Sequence, residues 1–80
     1  MNKLIVFSAT WCGPCKAMKP VVDQLDQSRI ERYDIDQSRD KLEQYKVSAV
    51  PTFIAVDEAG TEINRIMGAT TLSKLQELLT

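Results

Sequence analysis

Two cysteines, Cys12 and Cys15, stand in the stretch Trp11-Cys12-Gly13-Pro14-Cys15-Lys16. A thiol pair at this spacing can cycle between dithiol and disulfide, supply half of a metal site, or close a small structural bridge. The remaining composition narrows the choice. The chain has no histidine, so it lacks the commonest general base and the commonest metal ligand. Structural zinc takes four ligands, so two thiols would suffice only between molecules, and no metal or other cofactor is expected. A bridge over so short a loop restricts the unfolded chain little. Inert burial as small apolar side chains is a fair reading of isolated cysteines but not of this spacing. Redox cycling is the reading that remains.

The elements on either side explain how such a pair would be poised. Leu4-Ile5-Val6-Phe7 is a continuous apolar run, the pattern of a strand buried on both faces. The cysteine stretch is then a turn that opens a helix, with Pro14 near the first helical position, where proline costs least. Met18, Val21, Val22 and Leu25 recur at helical spacing and predict a helix of about four turns, kinked at Pro20. A helix N-terminus offers unpaired N–H groups and a partial positive charge, both favourable to a thiolate. Cys12 precedes the helix and feels this most. Cys15 lies one turn along, at the distance needed to attack a mixed disulfide on Cys12. Gly13 frees the turn and Pro14 stiffens it.

Farther along, residues 30–35 read as a strand with Ile30, Tyr33 and Ile35 as its apolar members. Ser38 is placed to cap a short helix carrying Leu42 and Tyr45. Val47 to Pro51 is a loop and Thr52 to Val56 a strand. Asp57-Glu58-Ala59-Gly60 has hairpin-turn chemistry. Thr61 to Met67 returns as a strand on which Ile63, Arg65 and Met67 share a face, and Gly68-Ala69 breaks it. Thr71 caps a last helix that buries Leu72, Leu75, Leu78 and Leu79. The order is βαβαββα, an α/β domain over residues 1–80 with a parallel first half and an antiparallel hairpin.

Charge excludes some partners. Ten Lys and Arg balance eleven Asp and Glu, a net charge of −1, and the basic residues are scattered, so no nucleic-acid or membrane footprint is expected. The N-terminal apolar run is too short for a secretory leader or a bilayer span. The expectation is a cytoplasmic monomer.

The hexapeptide from Trp11 to Lys16 resembles the active-site motif of the thioredoxin family. The likeness continues in Val6-Phe7 and Ala9 before the motif, in Tyr33-Asp34-Ile35-Asp36-Gln37, in Val50-Pro51-Thr52, and in Gly68-Ala69. It implies a minimal thioredoxin fold, with a four-stranded mixed sheet flanked by three helices. It also implies a protein-disulfide reductant that cycles Cys12 and Cys15. Cys12 would be the exposed nucleophile and Cys15 the buried resolving thiol. Disulfide-containing proteins would be the substrates and a thioredoxin reductase the electron donor. Gly13-Pro14 resembles the reducing members of the family, for which a potential of about −270 mV is characteristic. Trp11 would form an apolar contact surface beside the thiols, although tryptophan is often a core residue. Pro51 would follow a cis peptide and lie against the cysteines. Val50 would offer its backbone to an extended substrate segment, and Gly68 would let that segment approach closely.

The chain departs from the family pattern in three places. It begins on what resembles the second strand, as in compact thioredoxins and glutaredoxins. Val6 stands where a buried Asp commonly relays the resolving thiol's proton, and Arg32 where a lysine partner is common. Ala49 replaces a glycine two residues before Pro51, which bears on the substrate groove. Two other functions compete. A glutaredoxin-like enzyme using glutathione would suit the short length, but commonly carries an aromatic residue between the cysteines and a second glycine late in the chain. A non-catalytic thioredoxin-fold subunit of a larger complex would keep the fold and leave the thiols idle.

Overall fold

The computed structural model describes residues 1–80. The elements are β1 (Lys3–Ser8), α1 (Gly13–Val22), a 3-10 turn (Gln27–Arg29), β2 (Ile30–Asp34), α2 (Arg39–Gln44), β3 (Thr52–Val56), β4 (Glu62–Met67) and α3 (Leu72–Leu78). They form one four-stranded sheet in the order β2-β1-β3-β4. β1 runs parallel to β2 and antiparallel to β3, and β4 is antiparallel to β3. This is the expected mixed sheet with three helices.

Strand alternation divides the core between two faces. Leu4 and Val6 of β1, with Phe53 and Ala55 of β3, pack against Met18 and Val22 of α1 and Leu75 and Leu78 of α3. Ile5, Phe7, Ile54 and Val56 point the other way and meet Val47, with half-buried Leu42 and Tyr45 from α2. There the Phe7 ring lies 5.7 Å from Tyr33 and 5.9 Å from Tyr45, centroid to centroid. β1 and β3 are central and buried on both sides, as their unbroken apolar runs require.

Several boundaries differ from the sequence expectation. α1 has ten residues and stops at Val22, short of Leu25. Pro20 has no N–H for the Lys16 carbonyl, which loosens the last turn. Beyond it the chain tightens, with the Gln24 N–H bonding the Val21 carbonyl and the Leu25 N–H the Val22 carbonyl. Leu25 is buried all the same. Ile35 falls just outside β2, though its N–H still bonds the Ser8 carbonyl at 3.0 Å. β4 begins at Glu62, beside a register shift between Ala55 and Val56. Ser38 occupies the N-cap of α2 without a side-chain capping bond; its N–H donates to the Asp34 carbonyl. Thr71 does cap α3, accepting the Lys74 N–H at 3.3 Å. Leu72 is half-buried, packed at the margin of the α1–α3 cluster.

Candidate active site

The cysteine pair sits where β1 leaves the sheet and α1 begins, at the C-terminal end of the parallel strands, where α/β sheets commonly place their sites. Cys12 is the N-cap of α1, in extended conformation, and its Sγ accepts the Cys15 N–H at 3.2 Å. One orphan donor of the helix therefore points at sulfur, the arrangement that favours a thiolate there. Gly13 and Pro14 form the first turn and are exposed. Cys12 and Cys15 are joined in a disulfide, with Cα atoms 5.2 Å apart.

The resemblance implied an exposed Cys12 and a buried Cys15. The structure corrects this: Cys12 is 5% exposed and Cys15 8%. The cause is the loop before β3, which folds back over the motif. Its Val50 carbonyl oxygen lies 3.8 Å from Cys12 Sγ, and Val50 and Ile35 pack against the cluster of Ala9, Cys12 and Cys15. Surroundings, rather than exposure, distinguish the two thiols. Cys12 adjoins Trp11 and Val50, whereas Cys15 borders a separate cavity.

The structure brings the other sequence-selected residues to the same end of the sheet. The Val50–Pro51 peptide is cis. Pro51 is buried, and its carbonyl accepts the Gly68 N–H at 2.8 Å. Gly68 has φ +92°, which disfavours a side chain, and a Cβ there would meet nothing within 4 Å, so the space before it is open. Trp11 is 64% exposed and is thus no core residue. Its Nε1–H donates to Asp36 Oδ2 at 2.9 Å, which holds the ring beside the motif. The sequence reading named Asp36 only within the stretch that resembles the family, with no function of its own. The available signal was its position at the exit of a parallel strand, next to the site.

Between Trp11 and the folded-back loop runs an apolar groove of about 300 Å³, walled by Ile35, Leu42, Val47, Ala49 and Val50. Ala49, the departure from the family's glycine, is one of these walls. The arrangement therefore pairs a disulfide at a helix N-terminus with a neighbouring apolar groove and open space before Gly68.

The family model for thioredoxin matches residues 1–80. The chain belongs to the thioredoxin family. It is 42% identical over 74 residues to an H-type thioredoxin of Fagopyrum esculentum, a match covering 85% of this chain and 63% of that protein. It is 40% identical over 80 residues to a thioredoxin of Chlamydia trachomatis, covering 95% of this chain and 78% of that one. Among solved structures it resembles oxidised mitochondrial thioredoxin 3 of Saccharomyces cerevisiae, with TM-score 0.83 and 38% identity, covering 95% of this chain and 74% of the other. The chain thus spans less than two thirds of the Fagopyrum thioredoxin and most of the two others.

Proposed function

We propose that the chain is a thioredoxin-type protein-disulfide reductant. The observation that carries this is the Cys12–Cys15 disulfide at the N-terminus of α1, with Cys12 Sγ directly beneath the Val50 carbonyl. In the reduced protein the Cys12 thiolate attacks one sulfur of a substrate disulfide. A Cys12–substrate bond forms and the other substrate sulfur leaves as a thiol. Cys15 then attacks Cys12 Sγ, the second substrate sulfur leaves, and the Cys12–Cys15 bond closes. Two electrons have passed to the substrate. A thioredoxin reductase returns them and regenerates the dithiol.

Cys12 is the attacking thiol because it receives the Cys15 N–H and adjoins the groove, while Cys15 borders the other cavity. The substrate backbone pairs with Val50 as an added strand. Trp11, Gly13, Pro14 and Pro51 form the contact surface, and Gly68 leaves room for the chain. The protein acts as a monomer on disulfide-containing proteins. A reductant of this kind belongs in a reducing compartment such as the cytoplasm. No helix is long and apolar enough to cross a membrane.

The test is labelling plus trapping. Limiting iodoacetamide on the reduced protein should alkylate Cys12 first, and preferential labelling of Cys15 would reverse the assignment. Cys15→Ser should accumulate a mixed disulfide with a disulfide-bonded substrate protein, while Cys12→Ser should form none and lose essentially all reductase activity. Turnover with glutathione but not with thioredoxin reductase would instead identify a glutaredoxin-like enzyme.

A further inference from the structure

The second step of the proposed cycle needs Cys15 as a thiolate, and its proton must go somewhere. Cys15 borders a cavity of about 210 Å³, separate from the groove at Trp11. Cavity space of roughly 10–15 Å³ suffices to hold one water, so this one has room for several. Its walls include Val6 and Ser8 of β1, Arg32 and Asp34 of β2, Pro51 just before β3 and Phe53 within it. Lys16 and Lys19 of α1 complete the charged groups. Asp34 therefore carries the only carboxylate on these walls, and the chain has no histidine to offer instead.

The sheet register explains the placement. Asp34 sits opposite Ser8, and Arg32 opposite Val6, on parallel neighbouring strands. Asp34 is half-buried. Its Oδ1 accepts the Asp36 N–H at 2.9 Å, and Oδ2 has no protein partner. Two of the three cations are already engaged elsewhere: Lys19 and Arg32 both bond Asp23, at 2.9 and 2.7 Å. β3 contributes no charged group to the cavity.

Building on the reductant reading, we propose that the Asp34 carboxylate accepts the Cys15 proton, through water in this cavity, as the mixed disulfide resolves. The Cys15 S–H bond breaks and its electron pair forms the bond to Cys12 Sγ. The Cys12–substrate bond breaks in turn, and the substrate sulfur leaves with that bond's electrons. The proton passes by way of Asp34 to solvent.

An aryl disulfide probe, dithiobis(nitrobenzoate), separates the two steps. The first nitrothiolate released reports attack by Cys12, and the second reports displacement by Cys15. Both are followed by stopped flow between about pH 5 and 8. Asp34→Asn keeps an acceptor for the Asp36 N–H, so urea unfolding should match the parent. The first release should be unchanged. The second should slow by about tenfold or more near pH 6, with its pH profile displaced upward, and Asp34→Glu should recover part of the rate. An Asn variant whose second release matches the parent at every pH overturns the proposal. So does equal slowing of both releases, which would mark a structural role. A parent that releases no second equivalent overturns the reductant reading itself, and this one with it.

Discussion

Ten buried residues pack between the sheet and the pair α1–α3, against five on the face beneath α2. α2 has six residues, none of them buried. It is held by half-buried Leu42 and Tyr45 and by a polar tie, in which the Arg65 guanidinium donates to the Tyr45 carbonyl at 2.7 Å. The helix that carries the cysteines is thus clamped to the thick face through Met18 and Val22. The groove beside Trp11 is built largely from the thin face, through Leu42 and Val47. On the proposed reading, the reacting atoms sit on the firm side of the molecule and the recognition groove on the soft side. Such a division lets a groove adjust to different partners while the sulfur atoms stay aligned.

Substitutions on the two faces should therefore act on different quantities. Phe53 is fully buried on the thick face, and Phe53→Ala should cost about 3–5 kcal/mol. A domain this small has little to spare above about 5 kcal/mol of total stability, so urea or thermal unfolding should find much of the variant unfolded near 37 °C. A midpoint close to the parent's would show that the thick face is not the anchor.

Val6 tests the same face with charge in place of a void. It is 6% exposed and borders the cavity beside Cys15. Val6→Asp places a carboxylate there without a prepared partner, since Arg32 across the ladder is already bonded to Asp23 and Gln27. The expected loss is about 2–4 kcal/mol at neutral pH. Burial raises such a carboxyl's folded pKa, so the loss should shrink as pH falls and the group is protonated in both states. A second proton acceptor beside Cys15 should also speed release of the substrate near pH 7. A variant as stable as the parent, or no faster in the second step, contradicts this trade.

On the thin face, Leu42→Ala should cost only about 1–2 kcal/mol, because the side chain is only partly buried. Its larger effect should be on KM for protein disulfides, with kcat nearly unchanged, since the groove loses a wall and the sulfur geometry does not move. Equal losses in kcat and kcat/KM would mean that the two faces are not separate in function.

The sequence carried the local part of this picture and missed the long-range part. The Leu4–Phe7 run, the Cys12–Cys15 spacing and the Asp57–Gly60 turn each depend on near neighbours, and the corresponding strand, helix start and hairpin are present. The burial of Cys12 depends on Val50, 38 residues away, and the posture of Trp11 on Asp36, 25 residues away. No periodicity reports either distance. The end of α1 was misplaced because the apolar pattern runs on to Leu25, while the missing N–H of Pro20 and the bonds to Asp23 decide where helix gives way to turn. Ser38 has the right residue type for a capping bond, but its side chain makes none, and its N–H is bonded to the Asp34 carbonyl.

The smallest expected effects lie at two surface ion pairs, one on each face. At the end of α1, hydrogen bonds from Lys19 and then Arg32 hold the Asp23 carboxyl below its ordinary pKa. On β4 the Arg65 hydrogen bonds do the same for Glu62, with Arg65 Nε 2.7 Å from Oε2. A carboxyl whose folded pKa is depressed contributes stability that is complete above its unfolded value, about 4, and is lost as pH falls through the folded value. Both contributions should therefore be intact at pH 6 and fade below about pH 4. Both pairs face solvent, so each is small and weakened by salt. Asp23→Asn and Glu62→Gln should each lower the urea midpoint slightly at pH 6 in low salt, and the deficit should shrink as pH falls below about 4 or in high salt. The faces then separate by where the loss is felt. Arg65 also holds the Tyr45 carbonyl, so Glu62→Gln should speed amide exchange in α2, whereas Asp23→Asn should affect the last turn of α1 and its tie to Arg32 on β2. Exchange in α2 that responds to neither variant would remove Arg65 from the thin face's support and leave α2 resting on Leu42 and Tyr45 alone.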